Sequence, residues 1–482
     1  MMDVIGQGGP WAGIQRRRWD DAIVLEALSR CVSPTMIGQV LTQTGRASRR
    51  LRRLPATAVV WLVIAMAIYR QVDIPSTWRQ VVGTLRSLWL ADALQRPPCP
   101  SAFSAARRRL GARPMRLLFG HTAPPIATNP KRGGGHDLGG AFYRGMRLMG
   151  IDGVHFQIAD TPANAAAFGR PGTRRDGEPV AGGYPQIHAV GLMELGTHVM
   201  CEAVVKPSKK NEYPLVAHLL KHVPQGSLVL WDKGFYGYRA VAQALDRQVH
   251  VLGCVKGSAT FNVVRSCGDG SFLAKLYPSP KDKRHDTRGI VIRVIEYTFD
   301  EPHRPGHGER HRLYTSLLDA EQYPACELVV LYHERWEFEL ANDEVKTHQL
   351  SKDMPTSLRS RTPIGVVQEF YGLMIAYNAV RQLMHEAAQA VNIEPDQLSF
   401  IHAVRVIRET IPMMRAACVE QLPLLYRAMI RSIAIGRLPP RRNRINPRVV
   451  KVKMSNFAKK RTEHYRHPPP QKPFEQAIVI LK

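Results

Sequence analysis

Cysteine is scarce in this sequence and forms no recognisable pattern. The seven cysteines are scattered along 482 residues, and no two of them make a C-x-x-C pair. They therefore suggest neither a zinc site nor a disulfide framework. A reducing, cytoplasmic compartment fits this usage best.

Long apolar segments are also missing. The strongest apolar run, Ala58 to Tyr69, has 12 residues, which is well short of the ~20 that span a bilayer. It predicts a buried helix instead. The first residues, "MMDVIGQGGPWAGIQRRRW", lack the apolar core of a signal peptide. We therefore expect a cytoplasmic protein with no membrane partner.

Acidic residues are few beside the basic ones. Lys and Arg together number 67 against 40 Asp and Glu, which gives a net charge of +27. Such an excess favours a polyanionic partner, most simply nucleic acid, through neutralisation of phosphates and release of counterions. The charge alone does not separate a DNA enzyme from a ribosomal or packaging protein.

The amino-terminal region, residues 1–125, predicts a helical domain. Apolar residues recur at helical spacing in "DDAIVLEALSRCV" and "TAVVWLVIAMAIYRQV". Arginine clusters interrupt this pattern and favour a DNA-binding surface over a merely solvated face. The residues expected to contact DNA are Arg49, Arg50, Arg52, Arg53, Arg107 and Arg108. Residues 126–142, rich in Pro and Gly, predict a linker.

The predicted secondary structure changes several times along the rest of the chain. Residues 143–255 alternate strands with helices and predict an α/β domain, and residues 256–325 predict a β-rich insertion. Residues 326–405 are helical again. Residues 406–482 predict further helices followed by a basic tail. The tail is either an inert segment that improves solubility or a basic segment that binds nucleic acid. In the second case, the residues expected to contact DNA are Arg441, Arg442, Lys459 and Lys460.

The stretch "LYHERWEFELANDEVKTHQL", residues 331–350, places charged groups on one edge of a predicted helix. At ~100° per residue, four side chains fall within a ~60° stripe: Tyr332, Arg335, Glu339 and Lys346. Phe338, Ala341 and Val345 form an apolar face roughly opposite. The phenol, guanidinium and ammonium suit phosphate oxygens, but the carboxylate would repel phosphate unless a divalent cation lay between them. The alternative is a surface helix with an ordinary Arg–Glu pair at i, i+4.

Two aspartates stand where a metal site would need further carboxylates. Asp152 lies in the predicted strand "MGIDGV", and Asp232 ends the strand of "LVLWDKGFYG". Ligands gather at the carboxyl ends of strands in open α/β sheets, although an Asp there is often only a turn former. Asp160 competes with Asp152 for the first position. We prefer Asp152, because it lies inside the strand whereas Asp160 begins the following turn.

Together, "IDGVHFQIADTPAN", "LVLWDKGFYG" and "YHERWEFELANDEVK" resemble the insertion-sequence transposases of the IS-four family. The family signature is Tyr, two residues, Arg, three residues, Glu, six residues and Lys, and this chain matches it at every step. The resemblance runs from about residue 20 to residue 460. It implies an RNase H-like α/β catalytic core, interrupted by a β-rich insertion domain before the last acid. A helical DNA-binding domain would precede this core, and a helical and basic region would follow it.

The resemblance also implies a chemistry. Asp152, Asp232 and Glu339 would be the catalytic acids and would bind two Mg²⁺ ions, or Mn²⁺ in their place. The phosphates at the transposon end would be bound by Tyr332, Arg335 and Lys346. The implied reaction cleaves double-stranded DNA at terminal inverted repeats and transfers the 3′ ends into target DNA. A dimeric synapse would be the working form.

This sequence departs from the family in one respect, the aromatic residues of the insertion. Some relatives stack a flipped base on a tryptophan in the insertion, but no Trp lies between Asp232 and Glu339. That role is absent or falls to one of three other residues: Phe272, Tyr277 or Tyr297. We expect Trp231 and Trp336 to pack beside the acids.

Two other functions remain as alternatives to a transposase. One is a related nuclease that cuts DNA without joining it, and the other is a DNA-binding protein that has lost catalysis.

Overall fold

The computed structural model describes most of the chain. It covers residues 28, 32–48, 54–84, 98–128, 140–175, 178–181, 183–207, 213–255, 259–304, 306–349, 358–438 and 471–481. Several basic residues expected to contact DNA lie outside these ranges: Arg49, Arg50, Arg52, Arg53, Arg441, Arg442, Lys459 and Lys460. Most of the predicted linker, residues 126–142, also lies outside them.

The amino-terminal part of the described chain is helical. Its helices are α1 (Pro34–Gln43), α2 (Ala56–Ile68), α3 (Ile74–Thr84), α4 (Pro100–Leu110) and α5 (Arg113–Thr122). Ser33 caps α1 by accepting a hydrogen bond from the Met36 amide, and Pro34 occupies the first helical turn. Helix α2 is buried on nearly all sides, as expected for a helix that is apolar all round.

The centre of the molecule is a sheet with helices on both faces. The first strands along the chain are β1 (Phe142–Tyr143), β2 (Met146–Gln157), β3 (Gly172–Arg175), β4 (Glu178–Ala181), β5 (Gln186–Glu194), β6 (Val199–Pro207), β7 (Leu228–Trp231) and β8 (His250–Cys254). The helices between them are α6 (Pro162–Phe168), α7 (Val216–Leu219) and α8 (Tyr238–Leu245). Among the described strands, β3 pairs with β4 alone, and these two form a separate sheet.

The core strands follow the order β6-β5-β2-β7-β8. Strands β2, β5 and β6 are antiparallel neighbours, whereas β2, β7 and β8 run parallel. The segments "PQIHAVGLMEL" and "THVMCEAVV" form a hairpin, β5 and β6. Helix α8 connects β7 to β8, whereas the chain between β2 and β7 includes the β5–β6 hairpin as well as α6 and α7; both connections are long enough for parallel pairing.

The β-rich segment extends the central sheet and does not form a sheet of its own. It contains β9 (Val263–Ser266), β10 (Phe272–Leu276), α9 (Pro280–His285), β11 (Ile290–Phe299) and β12 (His311–Thr315). Strand β12 pairs with β8, so this segment joins the core strands in one 11-stranded sheet, to which β3 and β4 do not belong. Near the carboxyl terminus, β13 (Ile478–Ile480) pairs with β11. We did not expect that strand, because three residues carry too little alternation to predict one.

Helices make up most of the described chain after residue 324. They are α10 (Ala325–Tyr332), α11 (Trp336–Asp343), α12 (Pro363–Ala390), α13 (Phe400–Ala416) and α14 (Leu422–Ile435). A 3₁₀ turn, His333–Arg335, joins α10 to α11, and a π-helical segment, Glu344–Gln349, follows α11. The other 3₁₀ turns are Tyr213–Leu215, Leu220–His222, Lys233–Phe235, Pro395–Gln397, Val419–Gln421 and Glu475–Ala477. No helix in the described ranges is long and apolar enough to cross a membrane.

The two faces of the sheet pack into different cores. Alternate residues of β2 point to opposite faces. Leu148, Val154 and Phe156 join the larger core, which includes α2, α12, α13 and α14. Met149 and Ile151 join a second core with α7 and α8. The side of the sheet on which a β2 side chain lies therefore follows from its position in the strand.

The contact between α2 and α12 depends on the absence of a side chain at Gly372. A Cβ atom there would lie 2.8 Å from both the Val63 carbonyl oxygen and the Val63 Cγ1. We expect Gly372→Ala to lower the stability of the chain by about 1–3 kcal/mol through overpacking. Thermal unfolding followed by circular dichroism measures this change.

Gly38→Ala provides the matched control. Gly38 also lies in a helix, α1, but it is exposed and a Cβ atom there meets nothing within 4 Å. This variant should be neutral or stabilised by about 0.5–1 kcal/mol. Equal unfolding midpoints for the two variants would contradict the packing argument.

Candidate functional site

Two of the predicted acids lie side by side at the centre of the sheet. In the parallel pairing of β2 with β7, Ile151 is opposite Trp231. The next residues on the two strands, Asp152 and Asp232, are therefore neighbours on the same face. Asp152 lies inside β2, Asp232 directly follows β7, and both are half-buried.

The helix that carries Glu339 approaches this face of the sheet closely. A Cβ atom at Gly150 or at Gly191 would lie 3.2 Å from the ring of Phe338. Gly191 is the cross-strand partner of Asp152. Glycine in a strand often marks such a close approach. Helix α11 can therefore pack against β2 and β5 beside Asp152, with Glu339 immediately after Phe338.

Arg335 forms hydrogen bonds with the acid on strand β2 and with the acid on helix α11. Its Nη1 donates to Asp152 Oδ2 at 3.0 Å, and its Nη2 donates to Glu339 Oε1 at 3.3 Å. Burial alone would lower the pKa of this guanidinium. The Tyr332 phenol and the carboxylates, Asp232 included, nevertheless hold the pKa above its usual range. The structure thus brings Asp152, Asp232 and Glu339 together around one arginine.

Tyr332 points into the protein. It is buried, and its hydroxyl donates to the Trp231 carbonyl oxygen at 3.2 Å. Burial raises the pKa of this phenol far above its usual range. The hydroxyl therefore holds the end of β7, next to Asp232, and is not placed to reach a phosphate. This position does not support the phosphate contact predicted for Tyr332.

Lys346 lies over the same face of β2 as Asp152. Its Nζ is 5.5 Å from the centre of the Phe156 ring, and burial lowers the pKa of the ammonium. The predicted stripe assumed one regular α-helix from Tyr332 to Lys346. The 3₁₀ turn before α11 and the π-helical segment after it change that angular relation. The apolar face is confirmed, since its three residues are buried: Phe338, Ala341 and Val345.

A buried ionic cluster fixes α11 and the π-helical segment from behind. The Glu337 carboxylate lies 2.8 Å from His198 Nε2, and the Glu344 carboxylate lies 2.5 Å from Arg381 Nη2. Tyr377 donates to Glu344 at 2.8 Å, and Arg381 also contacts His198. Glu337 and Glu344 bracket Glu339 and precede Lys346. The cluster therefore anchors the segment that carries both of these predicted site residues.

The alternative first acid lies apart from this group. Asp160 is exposed beyond the end of β2 and forms an ion pair with Arg170 at 2.5 Å. That pairing favours Asp152, which shares Arg335 with Glu339.

The two tryptophans of this region differ in position. Trp231 is fully buried in the second core, and its Nε1 donates to the Tyr314 hydroxyl at 2.6 Å. It therefore faces away from Asp232, across the sheet. Trp336 is exposed, and its ring lies 5.9 Å from the Arg335 guanidinium. Only Trp336 of this pair lies beside the acids.

The aromatic residues considered for base stacking also differ. Tyr297 is buried in the sheet, whereas Phe272 and Tyr277 are partly exposed. The Tyr277 hydroxyl donates to Asp286 at 2.6 Å. Tyr297 is therefore poorly placed to stack on a base.

Arg107 is a packing residue and not a surface cation. It is buried, and its Nη2 donates to Ser360 Oγ at 2.8 Å and to the Gly365 carbonyl at 2.9 Å. Burial lowers the pKa of this guanidinium. We therefore correct the expectation that Arg107 contacts DNA. Arg108, the next residue on α4, is exposed, because a step of one residue moves about 100° around a helix.

A basic cleft that the sequence did not reveal begins beside Asp232. It has a volume of about 530 Å³, and its lining includes Lys233, Arg310 and Arg312. Lys233 follows Asp232 directly, whereas Arg310 precedes β12 and Arg312 lies in this strand, which pairs with β8. The sequence shows these arginines only as a local charged stretch, "GERHR", residues 308–312. Its proximity to the acids depends on sheet pairing.

The chain matches known transposases over most of its length. Residues 22–120 match the model of the insertion element 4 transposase N-terminal region, and residues 143–379 match the model of the transposase DDE domain. The transposase InsG for insertion sequence element IS4 of Escherichia coli (strain K12) is 31% identical over 438 residues, which cover 89% of this chain and 92% of InsG.

A solved structure is similar at a lower level. The piggyBac transposase, determined by cryo-EM as a synaptic complex with hairpin DNA, is 12% identical and has a TM-score of 0.42 over 84% of each chain. A likeness of this degree supports no conclusion about the present chain.

The ionic cluster behind α11 predicts a specific acid sensitivity. Burial alone would raise the pKa of the Glu344 carboxyl. The charge of Arg381, with hydrogen bonds from His198 and Tyr377, instead lowers this pKa to about 2. A carboxyl with a lowered pKa stabilises the fold above its unfolded pKa. That contribution is lost as the pH falls from about 4.5 toward 2.

We therefore expect Glu344→Gln to destabilise the protein at pH 7 by about 3–5 kcal/mol, because Arg381 stays buried without its charged partner. The difference from the parent should shrink as the pH falls below 4.5. Denaturant unfolding at several pH values measures both effects. Glu409→Gln, at an exposed position of α13, is the control and should change little. Parental stability of Glu344→Gln at pH 7 would refute the anchoring role.

Proposed function

The chain belongs to the IS4 family of DDE transposases and is a DNA transposase, and we propose that Asp152, Asp232 and Glu339 are its catalytic acids. The observation that carries this proposal is their convergence. Two acids are neighbours on parallel strands, and the third comes from a helix that shares Arg335 with the first. Catalytic groups commonly cluster at strand ends in α/β sheets.

The donor set of this cluster suits a hard divalent cation. It consists of carboxylate oxygens, which Mg²⁺ prefers and Mn²⁺ accepts. Three carboxylates face one guanidinium, and that guanidinium pairs with two of them. Two divalent ions held by these oxygens would activate a water or a 3′-hydroxyl and stabilise the leaving 3′ oxygen. We propose Asp152, Asp232 and Glu339 as the metal ligands.

Basic side chains around the acids are proposed to hold the DNA backbone. Arg335 and Lys346 lie on the acidic face itself, and Lys233, Arg310 and Arg312 line the adjacent cleft. Lys and Arg position a duplex through its phosphates. We do not include Tyr332 and Arg107 among the proposed DNA contacts, because both are buried.

The amino-terminal helices and the basic tail supply further proposed contacts. Arg108 is exposed on α4. The remaining candidates lie outside the described ranges: Arg49, Arg50, Arg52, Arg53, Arg441, Arg442, Lys459 and Lys460. With a net charge of +27, the chain suits a long polyanion, and its affinity for DNA should fall with salt.

We also propose an RNase H-like core with an insertion. The order β6-β5-β2-β7-β8, with an antiparallel first half and a parallel second half, supports that core. Strands β9 to β12 would be the insertion, placed between β8 and the helix of the third acid. As a family member, the chain is expected to cut at terminal inverted repeats, join 3′ ends to target DNA and work as a dimer.

Asparagine substitution distinguishes the two candidates for the first acid. Asp152→Asn should lower Mg²⁺-dependent cleavage by at least about 10³-fold, since loss of several kcal/mol of transition-state stabilisation has that effect. Binding to the same DNA should persist, because a negative charge near phosphate is removed. Gel shift and cleavage assays on DNA carrying the inverted repeats that flank the gene measure both.

Asp160→Asn is the matched control and should cleave like the parent, because Asp160 pairs with Arg170 away from the other acids. The reverse result, with Asp160→Asn inactive and Asp152→Asn active, would assign the first position to Asp160.

Strand transfer separates a transposase from a nuclease that only cuts. Supplied with a pre-cleaved end that carries a free 3′-hydroxyl, the chain should join this end to target DNA in the presence of Mg²⁺. The same end with a 3′-deoxy terminus should not be joined, because the nucleophile is missing. Cleavage of uncut ends without any joining of the pre-cleaved end would show a nuclease instead.

A further inference from the structure

A second group of potential metal ligands lies on the other side of the sheet from the acids. Glu202 of β6, His218 of α7 and His222 of the following 3₁₀ turn each offer one ligand atom, and these atoms all lie within 4.8 Å of one another. Glu202 is the cross-strand partner of Leu192, a residue of the second core. Asp152 instead shares its face with Val154 and Phe156 of the larger core.

The local fold holds the three groups in place. Val216, Leu219, Leu220 and Val223 are buried in the second core. The two histidines, spaced i, i+4, share the other side of this helical segment, as residues four apart do on a helix. Their ring centres are 5.2 Å apart. Apolar packing therefore fixes the segment and directs both imidazoles toward Glu202.

The contacts of the three side chains leave room for a cation. The Glu202 Oε2 and His222 Nε2 atoms are 3.3 Å apart, close to the separation of two ligands on one tetrahedral ion with ~2.0–2.2 Å bonds. The Nε2 of His218 is buried and has no hydrogen-bond partner among the described residues. A buried polar nitrogen without a partner is costly, and a metal ion would satisfy it.

Metal ions are coordinated by the neutral imidazole form of histidine. Glu202 is nearly buried, its Oε1 accepts a hydrogen bond from the Ala203 amide at 2.9 Å, and its Oε2 faces the His222 ring. A cation at this position would offset the cost of burying the carboxylate charge.

We propose that Glu202, His218 and His222 form a binding site for Zn²⁺ or a similar divalent transition metal. Two imidazoles and one carboxylate are a common zinc ligand set, and the fourth position of the tetrahedron is left to water. His222 is 42% exposed, which gives the ion a path to the site. The ion would cross-link edge strand β6 to the segment that leads into β7 and Asp232.

This site is separate from the acidic one in position and in chemistry. Nitrogen ligands select borderline metals, whereas an all-carboxylate cluster selects Mg²⁺. The inference does not depend on transposition, because its test measures metal binding alone. The experiment uses the full chain without a histidine tag, stripped of metal with a chelator, titrated with Zn²⁺ in a competition assay and with Co²⁺ followed by its visible absorption.

We expect one high-affinity Zn²⁺ per chain in the parent and in Glu339→Gln, whose change affects only the acidic site. His222→Gln and Glu202→Gln should weaken this binding by more than the ~10–100-fold that loss of a supporting residue costs. His285→Gln, at an exposed histidine of α9, should bind like the parent. Zn²⁺ should also raise the unfolding temperature of the parent and not that of His222→Gln.

Two results would overturn the proposal. One is the absence of high-affinity Zn²⁺ binding in the parent chain. The other is parental affinity in both His222→Gln and Glu202→Gln, which would place the ion elsewhere. Because His222 is exposed, His222→Gln should fold normally, and its circular dichroism spectrum verifies this.

Discussion

The close packing of helix α11 on the central sheet is the constraint on which the candidate active site depends. A carboxylate on a helix can join two carboxylates on strands only if the helix lies near the strand backbone. The ring of Phe338 fills the space above Gly150 and Gly191, where any Cβ atom would lie 3.2 Å from it. A larger residue at either position would press on Phe338, and also on Leu195 or Met200, and so disturb the packing that keeps Glu339 near the aspartates.

Ion pairs on both sides of helix α11 stabilise this packing. In front of α11, Arg335 lies between Asp152 and Glu339 and reduces the repulsion between carboxylates. Behind it, Glu337 and Glu344 pair with His198 and Arg381 in the interior. Buried charges are tolerated only when they are paired. The helix can therefore take few other positions, and such rigidity suits the proposed site, which would hold metal ions and a phosphate in a fixed arrangement.

The two faces of the sheet offer different ligand chemistry. The face toward α11 collects carboxylates and lies beside the basic cleft, which suits a hard cation and DNA phosphates. The face toward α7 brings two imidazoles to a nearly buried carboxylate, which suits a borderline metal. Both arrangements arise from strand alternation, because neighbouring residues of one strand point to opposite sides. A single sheet can thus position both groups without contact between them.

The sequence by itself determined the local features of this protein: the β5–β6 hairpin, the buried helix α2, the apolar face of α11 and the spacing from Arg335 to Glu339. Each of these depends on residues close together in the chain, whose periodicity is visible. Only the tertiary structure decided that Arg107 is buried against Ser360 and Gly365, that Tyr332 bonds to the carbonyl before Asp232, and that β12 joins β8. The cluster around Glu202 likewise needs a strand and a separate helical turn. Such contacts join residues far apart in sequence, and no local pattern records which distant segments will meet.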